Sequence, residues 1–476
     1  MRTVLVTGAG GAGRTTVAAA TALAEARSGR RALLLTTDRF GSAEAALGAA
    51  VLRGGSDIAT VPAPRRDPDD RPPVPGSSRA WTPPAEVEPG LWAARLDSGE
   101  HFRTELLALQ ERCSAVLGLL GARPLDRDEL TELPGAPQLA LLHALKCLHE
   151  GAAVRDGSGR TDSRAGWDVV VVDLPPVPDA VSLIALPEQL RRYLRRLLPS
   201  ERQAARALRP VLAQLAGVPM PAEVLYEVAG RCADELAAAQ AVFDDSATSV
   251  RLVVEPGPAA ADTLRTARAG LALHGMALDA VIANRVLPTG STDPWLAGAS
   301  GRQQAALKAL YEEPSGAAAV CELPHLGREP RGRDDLGPLA ERLAARSAGP
   351  LAGRSAGPGG ASGSPDSAVR EAAGEGAEGP EGAFGAAPAL GAVEDHLADQ
   401  GVLVWSVPLP GARRDELDLV RRGDELVLAV GPFRRILPLP SALRRCSVSG
   451  AGLADGALRI RFTPDPALWP QMPDGR

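Results

Sequence analysis

Up to about residue 345, short and continuously apolar runs alternate with longer helical patterns. Residues 4–7, 32–37, 91–96, 169–173, 251–255 and 278–284 read as strands. Several are apolar at every position, as expected of strands covered on both faces of a parallel sheet. The helices between them then act as βαβ crossovers, which predicts an α/β fold with a doubly wound, mostly parallel sheet. A Leu/Ala/Arg-rich amphipathic region opens at Leu186-Pro187-Glu188 and predicts a helical subdomain over 186–245. Its arginines (Arg191, Arg192, Arg195, Arg196) read as a solvated helix face, with contact to acidic lipid as the alternative.

Two stretches interrupt this pattern. Residues 53–89 are rich in Pro, Arg and Asp and read as a surface insertion. Residues 349–396 are low-complexity Gly/Ala/Ser/Pro/Glu without an apolar period, which predicts a flexible linker after a first domain at 1–348. Beyond it, runs at 402–407, 426–430 and 458–462 separated by turn residues predict a small all-β domain over 397–476.

The 476 residues give room for two or three domains, and a net charge of −6 argues against nucleic acid as a partner. Neither a secretory leader nor an apolar run of the roughly 18 to 20 residues that span a bilayer is evident, so a cytoplasmic location is expected, with peripheral membrane contact left open. The five cysteines (Cys113, Cys147, Cys232, Cys321, Cys446) are scattered, which favours reduced thiols over a disulfide framework or zinc site. Lys146 and Lys308 are the only lysines, so basic charge rests almost wholly on arginine.

The chemistry begins at Gly8-Ala9-Gly10-Gly11-Ala12-Gly13-Arg14-Thr15-Thr16, a G-x-x-x-x-G-[K]-T loop between a strand and a helix, with Arg14 at the lysine position. Its small residues let backbone N–H groups close around phosphate oxygens, and the following helix turns its positive end toward them. Arg14 supplies a cation, and Thr15 holds the Mg2+-ligating position.

Against G-K-G-G-x-G-K-T-T, this loop resembles the deviant Walker-A class, and later segments narrow the likeness to the ArsA-type ATPases. Leu33-Leu34-Leu35-Thr36-Thr37-Asp38 resembles that family's S-T-D switch I. Trp167-Asp168-Val169-Val170-Val171-Val172-Asp173-Leu174-Pro175-Pro176 resembles its switch II, with Leu186-Pro187-Glu188 at the family's spacing after it. Glu132-Leu133-Pro134-Gly135-Ala136 and residues 249–256, 282–288 and 323–326 match further family segments, so the resemblance covers about 1–345. Residues 407–411, 422–427 and 437–440 resemble the small-heat-shock-protein-like (α-crystallin) β sandwich appended to some bacterial ArsA homologues.

The resemblance implies a P-loop NTPase that uses ATP and Mg2+. Gly8, Gly10, Gly11, Ala12, Gly13, Arg14, Thr15 and Thr16 would hold nucleotide, and Asn284 would contact adenine. Thr15 and Asp173 would hold Mg2+, and Asp38 and Arg14 would serve catalysis, Asp38 by positioning or deprotonating the attacking water. Taken alone, Asp38 reads as a turn or helix cap and Asn284 as a turn residue. Asp173 has fewer alternatives, because an ionised group ending a buried strand needs a partner. The family also implies a nucleotide-sandwich dimer, either a homodimer or a heterodimer with an ArsA paralogue, that handles a protein client or an anion.

Three departures surround this one ligand. Ala9 replaces the lysine that reaches the partner's phosphates, Arg14 replaces the loop lysine, and Val177-Pro178-Asp179 replaces T-G-H after switch II. They predict slow ATP hydrolysis or, alternatively, a degenerate subunit that regulates a competent paralogue. A third reading makes the β domain a chaperone-like client binder. Arsenite handling lacks the clustered thiolates it needs, and a Met-rich client groove lacks methionines, since only Met220 falls in the helical region.

Overall fold

The computed structural model describes residues 1–48, 80–119, 121–156, 166–198, 221–312, 318–347 and 391–469. The first unit contains β1 (Arg2–Gly8), β2 (Ala32–Thr36), β3 (Ala85–Glu88), β4 (Leu91–Arg95), β5 (Val169–Asp173), β6 (Thr248–Val254), β7 (Leu278–Val286) and β8 (Ala319–Pro324). They form one sheet in the order β3-β4-β2-β5-β1-β6-β7-β8, parallel throughout except at the β3–β4 edge. Its helices are α1 (Arg14–Arg27), α2 (Ser42–Leu47), α3 (Ser98–Arg112), α4 (Ser114–Leu119), α5 (Ala136–Asp156), α6 (Val177–Leu197), α7 (Pro221–Asp244), α8 (Ala260–Leu273), α9 (Pro294–Glu312) and α10 (Gly332–Ser347).

Burial on both faces explains the uniformly apolar strands. Val4, Val6, Leu34 and Val171 enter one core with α1, α2 and α10, whereas Leu5, Leu33, Leu35, Val170 and Val172 enter the other with α5 to α8. Ala18, Ala19, Ala20 and Ala22 of α1 are fully buried, and their small side chains let that helix lie close to the sheet. Among the described residues, no helix is long and apolar enough to cross a membrane.

The second unit is antiparallel. Its strands are β9 (Ala392–His396), β10 (Val402–Pro408), β11 (Leu417–Arg422), β12 (Glu425–Val430), β13 (Phe433–Pro438), β14 (Cys446–Ala454) and β15 (Ala457–Pro464), with the short helices α11 (Leu397–Gln400) and α12 (Ser441–Arg444). They form the sheets β14-β15-β10-β9 and β11-β12-β13. Alternate residues such as Leu426, Leu428, Trp405, Ile460 and Phe462 turn inward, and this core is continuous with that of the first unit.

The structure corrects three boundaries. The helix expected to open at Leu186 begins at Val177, directly after switch II, and carries Pro187 in its interior. Pro178 falls in its first turn, where a missing N–H costs nothing because that group has no intrahelical partner. Within the expected linker, 392–396 is strand β9, an exposed edge whose polar residues show no apolar period; within the expected insertion, 85–88 is edge strand β3. The remainder of the linker expectation (349–390), most of the insertion (53–79) and residues 199–220 of the helical expectation lie outside the described residues.

His274, at the end of α8, is buried beside Arg435, and burial pushes its imidazole from 6.5 down to about 3. The unfolded chain therefore takes up this proton first, so stability is lost as pH falls from about 6.5 toward 3, by up to about 1.4 kcal/mol per pH unit. Urea unfolding between pH 7 and 5 should show a steeper fall in midpoint for the wild type than for His274→Gln.

Candidate functional site

β1 delivers the chain to the loop at its C-terminal end. Gly8 has no room for a side chain, since a Cβ there would stand 2.0 Å from the Val253 carbonyl oxygen. Gly11 and Gly13 take φ of +80° and +86°, which L side chains resist. Gly13 precedes α1 with no side-chain cap, leaving the N–H groups of the first turn free to face an anion.

Asp173, at the end of β5, is the centre of the arrangement. Its Oδ2 accepts hydrogen bonds from the Thr15 hydroxyl (2.8 Å) and the Thr36 hydroxyl (3.1 Å), while its buried Oδ1 has no partner among the described residues. Burial pushes the carboxyl up to about 6, against the opposing pull of the Thr15 hydrogen bond and the Arg14 charge. A buried, unpaired carboxylate oxygen beside the Thr15 hydroxyl is a hard-oxygen donor set that fits Mg2+.

More threonines tie the switches together. Thr37 donates to the Asp173 carbonyl (2.9 Å), Thr7 donates to the Pro175 carbonyl (2.7 Å), and the Asp38 N–H donates to the Thr36 hydroxyl (3.0 Å). Motif matching passed over Thr7, Thr36 and Thr37 as positioning groups. Their signal was a hydroxyl at the C-terminal end of two strands, one to either side of β5.

Arg14 donates through Nη1 to the Leu174 carbonyl, and its buried Nε has no partner among the described residues. Desolvation lowers its pKa, opposed by the charges of Asp173, Asp179 and Asp38. The Asp38 carboxylate accepts from the N–H groups of Phe40 (3.1 Å), Ser42 (2.5 Å) and Ala43 (3.4 Å), so it caps the start of α2. Arg39 then pins this loop to Glu132 (2.6 Å), in the Glu132–Ala136 segment.

Arg14, Thr15, Asp38 and Asp173 thus gather at the strand ends, while Asn284 and Thr16 line a separate cavity of about 310 Å³ with Gly13, Pro324 and His325. Asn284 donates to the Ala12 carbonyl (2.8 Å), and Arg285, at φ +60°, donates to the Gly11 carbonyl (2.9 Å). The loop therefore lies between the corner around Asp173 and this cavity.

A second cavity, of about 480 Å³, lies among α3, α5, α6 and α7, and Leu106, Leu109, Leu139, Leu190 and Leu194 supply much of its wall. Leucines dominate its wall among the described residues, a groove that the sequence showed only as an amphipathic stripe. His101 and His143 stack in its wall at 4.7 Å, and burial lowers both imidazoles and raises the Cys147 and Cys232 thiols. All five cysteines are free thiols, and no group of His, Cys, Asp or Glu among the described residues is arranged to hold a metal.

Two of the four loop glycines, Gly10 and Gly13, can be told apart by substitution. Gly10→Ala meets nothing within 4 Å, so stability should change by less than about 0.5 kcal/mol. Gly13→Ala combines positive φ with a Cβ 2.4 Å from the Asn284 amide nitrogen. It should cost about 2–3 kcal/mol in denaturant unfolding, from backbone strain and the lost Asn284 bond.

Known proteins are similar to this chain over both of its units. The family described as anion-transporting ATPase matches residues 1–51 and 77–345, and the HSP20-like domain found in ArsA matches 400–462. An uncharacterized protein of Streptomyces coelicolor is 50% identical over 472 residues, spanning 99% of this chain and 100% of that one. Protein Rv2184c of Mycobacterium tuberculosis is 28% identical, spanning 98% and 97%. A putative arsenical pump-driving ATPase 1 of Aquifex aeolicus is 23% identical, spanning 93% and 95%. The chain belongs to the ArsA-type anion-transporting ATPase family and carries that family's HSP20-like domain.

Proposed function

We propose that the chain binds Mg-ATP at the loop and hydrolyses it slowly, coupling the nucleotide to closure of a dimer and to handling of a client. The observation that carries this reading is Asp173, buried with one free oxygen and held against the loop by Thr15 and Thr36. In this reading Thr15 and Asp173 hold Mg2+, which would neutralise charge on the phosphate oxygens. The uncapped N–H groups of α1 and Arg14 bind those oxygens, and Asn284 shapes the base cavity. The leucine-lined groove supports a protein client with an apolar segment rather than a small anion.

Slow turnover follows from charge. A cation delivered in trans is worth about 10³–10⁵ in rate, roughly 4–7 kcal/mol of barrier, and Ala9 delivers none. A second reading, a subunit that binds nucleotide without firing, draws support from Asp38. Its carboxylate is held by three backbone N–H groups, which limits its freedom to reorient toward an attacking water.

Steady-state Mg-ATP hydrolysis separates the two. Slow turnover in the wild type, abolished by Asp38→Asn and raised at least about tenfold by Ala9→Lys with Arg14→Lys, supports the active enzyme. No turnover in the wild type alongside retained ADP binding supports the silent subunit. Asp173→Asn should remove the Mg2+ dependence of nucleotide affinity, and unchanged dependence would sink the metal assignment.

A further inference from the structure

The HSP20-like domain is seated on the helix that leaves switch II. α6 starts at Val177, four residues after Asp173, and its 21 residues span about 30 Å. Glu188, Arg192 and Arg196 recur every fourth residue and so share one face. All three contact the β domain: Glu188 pairs with Arg435 of β13 (3.0 Å), and Arg192 (2.8 Å) and Arg196 (2.7 Å) share Glu425 of β12. All three also lie beyond Pro187, where the helix loses a backbone hydrogen bond.

The neighbouring helix completes the seat. Arg265 of α8 forks onto Glu416 at 2.7 and 3.0 Å, and Arg435 also donates to the Leu273 carbonyl (2.8 Å). The Phe433 ring lies so close to Gly270 that a Cβ there would stand 2.5 Å from it. At the other end of α6, Thr7 and Arg14 hold the carbonyls of Pro175 and Leu174.

We propose that the β domain is a clamp on the far half of α6, through which the phosphate site and the β domain sense one another. The proposal rests on the nucleotide reading given above. Arg14 holds the Leu174 carbonyl through Nη1 alone, so a phosphate that reorients the guanidinium alters that hold. A phosphate that draws it away frees switch II and the near half of α6, and the movement meets the clamp beyond Pro187. By linkage, whatever loosens the clamp alters nucleotide affinity by the same factor, commonly fivefold or more, about 1 kcal/mol or above.

Hydrogen exchange on the full chain, with and without Mg-ADP, tests this. Mg-ADP should slow exchange at 8–16 and speed it several-fold at 425–438. Glu425→Lys, which repels Arg192 and Arg196, should exchange fast at 425–438 without nucleotide, keep protection at 8–16 and lose the response. Should that variant fail to fold, Glu416→Lys opens the same seat from α8. Protection at 8–16 with no change at 425–438 in the wild type overturns the clamp. Absence of protection at 8–16 defeats the nucleotide reading instead, and Arg14→Ala then decides. Its loss of the Leu174 contact should speed exchange at 425–438, and unchanged exchange there overturns the clamp as well.

Discussion

The arrangement of the first domain turns on one buried carboxylate. Asp173 ends a strand of four valines between β1 and β2, where it is buried and makes no ion pair among the described residues. Such a group is tolerated only when hydroxyls and nearby charge offset its desolvation. The hydroxyls come from Thr15 at the start of α1 and Thr36 at the end of β2. Satisfying one side chain therefore draws the loop, switch I and switch II to one point. The oxygen left unpaired is the feature that makes this point a site rather than only a joint.

Arginine in place of lysine alters the balance there. A guanidinium is a planar fork that must find several acceptors, whereas an ammonium is a compact point charge. Arg14 takes the Leu174 carbonyl, keeps a buried Nε without a partner, and lies among Asp173, Asp179 and Asp38. The substitution thus gives the loop cation a direct bond to switch II. The same geometry bears on turnover and on how movement would leave the site along α6.

Among the arginines that attach the β domain, Arg192, Arg265 and Arg435 are mostly buried, while Arg196 stays exposed. Arg435 has a side chain only 5% exposed, so its pairing with Glu188 is made out of water, where removing one partner would strand the other. Burial pushes the Glu188 carboxyl up even though Arg435 pulls it down, which indicates how much desolvation the contact entails. A domain held only by its linker would show neither this nor the shared hydrophobic core.

The local chemistry of the first domain was legible along the chain. Continuous apolar runs marked the strands because two-sided burial removes polar alternation, and the glycine loop marked its own position because only small residues fit beside Val253. Other features depended on distant residues meeting. Asp38 sends its carboxylate to α2, and Pro178 is harmless because a helix starts there. The stripe Arg192–Arg196, which reads as a solvated face in one dimension, covers a seat for Glu425, 229 residues beyond Arg196. Sequence by itself marked the central strands and the glycine loop, because propensity and burial pattern act over a few neighbours. Tertiary structure alone decided which charges meet and which carboxylate oxygen stays free, because desolvation and pairing depend on what folding brings alongside.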